Sequence, residues 1–220
     1  MKRLLTVMSL STLVLTACQA EQAPEEQTAQ TDKQTSAVDF ENVKAPSDLA
    51  EQLKDGGYVI VFRYTGSGGP PSEVPADLNG KVKDDGQRIS EESIRQMKAY
   101  GGHYRSLGIP VSDVLSSEYY FVWQHADAAF GQPITITRDL TGSLDFDDQQ
   151  ELDQSLQQLR ERTMTAPAKG QNTLLFTHQG KFDKAYGYYP PAGTTIIFKP
   201  DGSDKARVIA VLSMEEFMAL

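Results

Sequence analysis

The sequence contains one cysteine, one tryptophan and three histidines among 220 residues. A single cysteine cannot form a disulfide within the chain, so the fold must be held together by its apolar core. Three histidines and one cysteine supply few ligands for zinc, and no metal site is predicted. The glycine-rich stretch 66–71 lacks the Lys-Ser/Thr ending of a nucleotide-binding phosphate loop. We therefore expect neither a metal nor a bound cofactor.

Positive charge is also scarce. The chain has 21 Lys and Arg against 30 Asp and Glu, for a formal net charge of −9. Cleavage after residue 17 would remove Lys2 and Arg3 and no acid, which lowers the formal charge to −11. This balance argues against nucleic acids and anionic lipid surfaces as partners, although it permits a local cationic pocket.

Long apolar runs are missing as well. The run Leu4–Val14 follows Lys2 and Arg3 and precedes small residues, and it is shorter than the ~20 residues of a membrane-spanning helix. This pattern is typical of a secretory signal peptide, predicted over residues 1–17. The segment Leu15–Cys18 resembles the bacterial lipobox, which implies cleavage before Cys18 and a diacylglycerol on its thiol. The alternative is an ordinary secretory signal with an incidental cysteine.

Residues 18–44 are predicted to be a flexible tether. The segment is rich in Gln, Glu, Thr and Ala, and Val38, Phe40 and Val43 are its only large apolar residues. Such a composition buries too little surface to offset the entropy of ordering. A coil of ~25 residues spans roughly 25–30 Å. Gln19 follows the lipidated cysteine where an Asp would resemble an inner-membrane retention signal. We therefore expect a lipid-anchored protein on the outer membrane, facing the periplasm.

Residues 45–220 are predicted to form one α/β domain. Strand-like runs alternate with helical patterns: strands are predicted at 58–63, 111–115, 134–136, 173–177, 194–198 and 207–212, and helices at 90–107, from Ser116-Ser117 to about 129, at 147–162 and from Ser213. The run Tyr58–Phe62 is apolar at every position, which suits a strand covered on both faces. The pattern predicts three α/β/α layers around a mostly parallel sheet.

Polar residues follow three of these strands. They are Arg63-Tyr64, Ser116-Ser117 and Thr177-His178. Ligands of parallel α/β sheets bind beyond the carboxyl ends of the strands. The sequence therefore predicts a site where these three segments meet.

Five segments also resemble motifs of the histidine phosphatase superfamily, the phosphoglycerate mutase-like enzymes. They are Phe62-Arg63-Tyr64-Thr65 after the first strand, Ile89–Ser93 at a helix start, Leu107–Pro110 at its end, and Ser116–Ala126 with the late Thr177–Gly180. The resemblance implies a phosphoglycerate mutase-like fold. It also implies a phosphoryl pocket of two His and two Arg, in which one His attacks phosphorus.

The chain departs from this pattern at the reacting residues. Arg63 and His178 match two pocket positions, but Tyr64 stands at the nucleophile position and Phe121 at the second Arg position. His125 replaces a helix Thr. A tyrosine hydroxyl has an ordinary pKa near 10, so deprotonating it at pH 7 costs about 4 kcal/mol. A lost transition-state donor costs ~3–4 kcal/mol.

These losses predict a binding or interaction module that is catalytically inactive. In one interpretation, Tyr64 and Phe121 fill the phosphoryl pocket of the family with apolar side chains. In another, Arg63, His125 and His178 bind a small anion or phosphorylated ligand without turnover. The alternative is an active phosphomonoester phosphatase in which Tyr64 or His178 is the nucleophile. Strand alternation predicts that Arg63 and Tyr64 point apart, which argues against activation of Tyr64.

Two further features leave their roles open. Tyr119, Tyr120, Phe121 and Trp123 form an aromatic run that is either a binding surface or part of the core. The acidic loop 139–148 lacks the ligand spacing of an EF-hand and is predicted to be solvated.

Overall fold

The computed structural model describes residues 38–131, 133–202 and 206–220. In this part of the chain six strands form one sheet: β1 (Val59–Arg63), β2 (Val111–Ser116), β3 (Thr135–Ile136), β4 (Asn172–Thr177), β5 (Thr195–Pro200) and β6 (Ala206–Leu212). Their order across the sheet is β3-β2-β4-β1-β5-β6. Strands β1 to β4 run parallel to one another, whereas β5 is antiparallel to both β1 and β6. The mostly parallel sheet predicted from the sequence is confirmed.

Helices cover both faces of this sheet. They are α1 (Leu49–Asp55), α2 (Glu91–Leu107), α3 (Tyr120–Phe130), α4 (Gln149–Met164), α5 (Gln179–Tyr186) and α6 (Met214–Met218). Apolar side chains of α1, α2, α3 and α6 pack in one buried cluster, and those of α4 and α5 pack in another. The sheet lies between the two clusters, so the predicted three-layer α/β/α architecture is confirmed.

Strand β1 shows why the first apolar run is continuous. Ile60 and Phe62 belong to one core cluster, whereas Val59 and Val61 belong to the other. All four side chains are almost completely buried. Because successive strand residues face opposite sides, a strand between two helical layers must be apolar throughout.

Helix α3 begins later than predicted. The sequence placed its start at Ser116-Ser117, but Ser116 is the last residue of β2 and the helix begins at Tyr120. The backbone N–H of Ser117 donates to the carbonyl of Phe176 at 3.1 Å, which continues the strand pairing by one residue. These two serines therefore stay at the sheet edge, and Tyr119 precedes the first helical turn.

The acidic loop is less exposed than predicted. Short 3-10 turns form at Arg138–Leu140 and Ser143–Asp145. The buried carboxylate of Asp139 pairs with Arg162, and Asp145 pairs with Lys83. The prediction of a solvated loop is wrong for these two acids, because each has a basic partner from a distant part of the chain.

Packing onto the domain begins before residue 45. Phe40 is buried and stacks on Tyr188 with ring centroids 5.1 Å apart. It also meets Phe182 edge to face at 5.5 Å. The packed body therefore includes the end of the segment assigned to the tether. The predicted signal peptide, Cys18 and the tether up to residue 37 lie outside the described residues.

No helix within the described ranges is long and apolar enough to cross a bilayer.

Candidate functional site

The three polar segments predicted to meet do so at the carboxyl edge of the sheet. Arg63, at the end of β1, pairs in register with Thr177 at the end of β4. Ser116, at the end of β2, pairs with Phe176 of the same strand. Tyr64, Ser117 and His178 each follow one of these strand ends and therefore lie close together.

Four rings form an aromatic cluster at this edge: Tyr64, Tyr119, Phe121 and His178. The ring of Tyr64 meets Phe121 edge to face at 5.0 Å and His178 at 5.3 Å between centroids. Tyr119 lies 5.2 Å from His178 and 5.7 Å from Phe121. Edge-to-face contacts at these distances are favourable beyond their buried area. The four rings therefore form one packed unit at the sheet edge.

His178 is held in a neutral state within this cluster. Burial, together with the positive charges of Arg63 and Lys181, lowers the pKa of its imidazole to about 3. Its Nε2 lies 2.8 Å from the Oγ of Ser117. A serine beside a histidine is the geometry of a nucleophile and its base. The side chain of Ser117 is completely buried, however, so its hydroxyl has no access to a substrate.

Arg63 does not point away from Tyr64. Its guanidinium lies over the Tyr64 ring with Cζ 4.4 Å from the centroid, and its Nη1 donates to the carbonyl of Tyr64. The expectation that the two side chains diverge is wrong, because β1 ends at Arg63 and strand alternation no longer governs Tyr64. The Nε of Arg63 is buried and has no partner among the described residues.

His125 lies beneath the cluster and is completely buried. Its Nδ1 is 2.7 Å from the carbonyl oxygen of Phe121, and its Nε2 is 3.0 Å from the Oγ1 of Thr65. Burial lowers the pKa of its imidazole to about 4. Both ring nitrogens are therefore engaged within the protein, and His125 is uncharged at neutral pH.

A cavity of about 430 Å³ opens over the aromatic cluster. Its walls contain the rings of Tyr64, Tyr119, Phe121, His178 and Tyr189. The other lining residues are Asp85, Gln87, Gly142, Ser143, Leu144, Asp145, Gln179, Gly180, Asp183 and Lys184. Arg63 and His125 are not among them. Of the three residues predicted to bind an anion, only His178 reaches the cavity.

Most of the aromatic run at the start of α3 is buried. Tyr120, Phe121 and Trp123 are buried, and Tyr120 stacks on Trp123 at 5.9 Å. Tyr119 alone is half-buried, at the cavity wall. Most of the run predicted as either surface or core is therefore core.

Solved structures with a similar arrangement of strands and helices include phosphatases. A putative alpha-ribazole-5'-P phosphatase from Escherichia coli aligns with a TM-score of 0.51 and 13% identity, over 72% of this chain and 98% of its own. The alpha-ribazole phosphatase from Shigella flexneri gives 0.49 and 12%, over 71% and 96%. The protein histidine phosphatase SixA, complexed with tungstate, gives 0.47 and 12%, over 71% and 97%.

The chain has a histidine-phosphatase-like fold. No protein-family model matches the sequence, and no curated protein matches it. At this level of identity the likeness concerns the fold alone. It confirms the fold that the sequence motifs implied.

Several residues that line the cavity were not predicted from the sequence. Gly180, Asp183 and Lys184 share one face of α5, at positions i, i+3 and i+4. Because α5 begins directly after His178, that helical spacing could have placed them beside the site. Tyr189 carried no such signal, since its position depends on how the chain turns after α5.

Within the ranges that the structure describes, no group of three or more His, Cys, Asp or Glu could hold a metal ion. Glu118 accepts from Thr141 at 3.1 Å and pairs with Arg138 rather than lining the cavity. What the site does provide is a concave aromatic surface edged by carboxylates.

Proposed function

We propose that this protein is a lipid-anchored protein of the cell envelope whose histidine-phosphatase-like domain binds a ligand or partner without transferring phosphoryl groups. It would be a degenerate member of the histidine phosphatase superfamily. The observation that carries the proposal is the contact of Tyr64 with Phe121, at 5.0 Å. These two rings occupy the positions at which the resemblance implies the nucleophilic imidazole and an arginine.

The chemistry of the cluster supports inactivity. Phe121 cannot donate a hydrogen bond to a phosphoryl oxygen, and His178 is neutral with a pKa lowered to about 3 by burial and by Arg63 and Lys181. A missing donor and an unfavourable nucleophile together cost roughly 7 kcal/mol, or about five orders of magnitude in rate. Residues of one site act jointly, so the sum sets a scale rather than a fixed value.

The envelope location rests on the N-terminal segment. A basic start, a short apolar run and the Leu15–Cys18 motif support export and lipidation of Cys18. An outer-membrane anchor facing the periplasm agrees with Gln19 after the cysteine. Detection of a diacylglycerol adduct by mass spectrometry, and its loss in Cys18→Ser, would test the anchor.

The competing function is an active phosphomonoester phosphatase with non-standard catalytic residues. It would require Tyr64 or His178 to carry the phosphoryl group. Rapid-quench mass spectrometry after exposure to phosphomonoesters would then find an adduct on one of these side chains.

A turnover assay separates the two functions. The purified protein should hydrolyse p-nitrophenyl phosphate and phosphohistidine no faster than a His178→Ala variant. A His103→Ala variant, altered on the partly exposed surface of α2, controls for the removal of any histidine. Robust turnover that His178→Ala abolishes and His103→Ala preserves would refute the proposal.

A further inference from the structure

The cavity walls are suited to a cation rather than to the phosphoryl groups of the related fold. Four aromatic side chains line it: Tyr64, Tyr119, Phe121 and Tyr189. Aromatic faces carry negative electrostatic potential and attract ammonium groups, most strongly when several rings surround one site. This step rests on the proposed function, because it concerns the ligand of a pocket that carries out no chemistry.

Carboxylates dominate the charged side chains at the cavity. Asp85, Asp145 and Asp183 line it, against Lys184 as the one lysine or arginine in its wall. Asp145 is already paired with Lys83 and Arg138. Asp85 and Asp183 form no ion pair with any described residue, although the backbone N–H and side-chain amide of Gln87 donate to the two carboxylate oxygens of Asp85. Two carboxylates without a cationic partner therefore share the cavity wall with one lysine.

A neutral acceptor adds to this pattern. Gln179 lines the cavity, and its Oε1 is shielded from solvent and has no hydrogen-bond partner within the described part of the chain. A buried carbonyl oxygen without a partner costs free energy. A positive charge in the cavity would stabilise this carbonyl dipole through space, whereas an anion would not.

The cationic groups of the region are poorly placed for an anion. Arg63 lies over the Tyr64 ring and Lys83 lies over the Tyr119 ring, and neither lines the cavity. His178 lines it but is neutral. Arg63 nevertheless contributes a positive charge behind Tyr64, and this charge opposes binding of a cation. Its removal therefore has opposite consequences for a cationic and an anionic ligand.

The cavity mouth presents apolar surface. Leu144 is 96% exposed and Tyr189 is 60% exposed, and both line the cavity. Val38 is the other large apolar residue exposed in the described chain. Exposed apolar side chains grouped at a concave site are typical of ligand contact. Alkyl groups on the ligand would cover them.

We infer that this cavity binds a small alkylated ammonium ion. The alkyl groups lie against the aromatic walls and the exposed Leu144, and Asp85 and Asp183 balance the charge. Phe121 then has a role of its own, because it removes a positive charge and adds a wall to the cavity.

Choline and its uncharged isostere test the inference directly. Isothermal titration calorimetry on the purified protein compares choline, 3,3-dimethylbutan-1-ol and inorganic phosphate at the same ionic strength. We expect choline to bind at least about 10-fold more tightly than the alcohol, because the alcohol lacks the charge that aromatic faces attract. Phosphate should neither bind nor compete.

Variants that should change the affinity for choline in opposite directions provide a stricter test. Asp183→Asn should weaken choline binding severalfold, and Arg63→Met should strengthen it. Tyr189→Leu should weaken it, whereas Tyr189→Phe should preserve it, because the ring rather than the hydroxyl is required. Asp153→Asn, on the exposed face of α4 and hydrogen-bonded to Gln149, is the matched charge control and should change nothing.

Three results would overturn the inference: equal binding of the alcohol, no choline binding at millimolar concentration, or phosphate binding that Arg63→Met abolishes. Each would leave the absence of turnover untouched. Conversely, phosphatase turnover would refute the proposed function whatever the choline result, so the two failures are distinguishable.

Discussion

The ring of Tyr64 meets the ring of Phe121 edge to face, with centroids 5.0 Å apart and planes at 84°. Phe121 is only 2% exposed. An arginine at position 121 would place its guanidinium against the Tyr64 ring and the neutral His178, with no anion to offset its desolvation. The apolar ring of Phe121 is therefore better suited than an arginine to the buried contact with Tyr64.

Restoring both positions together should recover phosphatase chemistry. Tyr64→His supplies a nucleophilic imidazole, and Phe121→Arg supplies a charged bidentate donor beside it. We expect the double variant to hydrolyse p-nitrophenyl phosphate about 10²–10³-fold faster than either single variant, since one donor is worth that much.

Binding of phosphate provides a second measurement for the same variants. Added phosphate should raise the melting temperature of the double variant, because a ligand that binds the folded state stabilises it. The unaltered protein should show no such shift. A double variant that folds but neither turns over nor responds to phosphate would contradict the idea of an intact framework.

The two buried histidines should make the protein sensitive to mild acid. Folding keeps His178 and His125 neutral, with pKa values lowered to about 3 and about 4, chiefly by burial. The unfolded chain binds protons on them below its ordinary pKa near 6.5. Their stabilisation is thus complete above that pH and is lost as the pH falls. We expect the free energy of unfolding to drop by about 4 kcal/mol between pH 7 and pH 5.

Urea titrations at the two pH values measure this drop. His125→Gln and His178→Gln should each reduce it by about half, whatever their effect at pH 7. An acid sensitivity that survives in these two variants would assign it to other groups.

Sequence patterns predicted the fold well because they report local and periodic constraints. The apolar run of β1 implied burial on both faces, and Ser90 at the start of α2 accepts from the N–H of Ser93 as a helix cap should. The end of β1 and the end of β4 could be brought together from the rule for parallel sheets.

Such local patterns could not predict contacts between residues that are far apart in the sequence. The pairing of Asp145 with Lys83 joins positions 62 residues apart. The approach of Tyr189 to the cavity depends on the path of the chain after α5. The stacking of Arg63 on Tyr64 required knowing that β1 ends between them. Each of these is a tertiary relationship without a local sequence signal.

Replacing the buried Lys181 should stabilise the protein. Its side chain is completely buried, its Nζ donates to Ser155 and lies 4.4 Å from the Phe146 ring centroid, and burial lowers its pKa to about 8. The unfolded lysine titrates near 10.5, so this penalty is complete below pH 8 and disappears as the pH rises through 10.5. Lys181→Met should gain about 1–2 kcal/mol at pH 7, after allowance for the lost attraction to Asp139.

The pH dependence identifies the cause of that gain. In urea titrations the advantage of Lys181→Met should shrink between pH 7 and pH 10, because the folded lysine is then neutral while the unfolded lysine still holds its proton, so the stability of the unaltered protein rises with pH. Lys184→Met, on the exposed side of the same helix, should show no comparable gain. A gain that is independent of pH would indicate better packing rather than relief of a buried charge.

Adjacent glycines in α2 should respond in opposite ways to alanine. A Cβ on Gly101 would lie 1.8 Å from the carbonyl oxygen of Ala129 in α3, whereas a Cβ on Gly102 would meet only a terminal nitrogen of Arg105 at 3.9 Å. Gly101→Ala must therefore push the two helices apart and should cost about 3 kcal/mol or more. Gly102→Ala adds helix propensity without a clash and should gain roughly 0.5–1 kcal/mol.

The pair is its own control, because both variants make the same chemical change one residue apart in one helix. Since α3 carries Phe121, the displacement in Gly101→Ala should also loosen the contact of that ring with Tyr64. Chemical denaturation measures the first effect, and tyrosine ring resonances in NMR spectra report the second. Equal stabilities for the two variants would contradict the close approach of α2 and α3, and with it the packing that places Phe121 beneath the cavity.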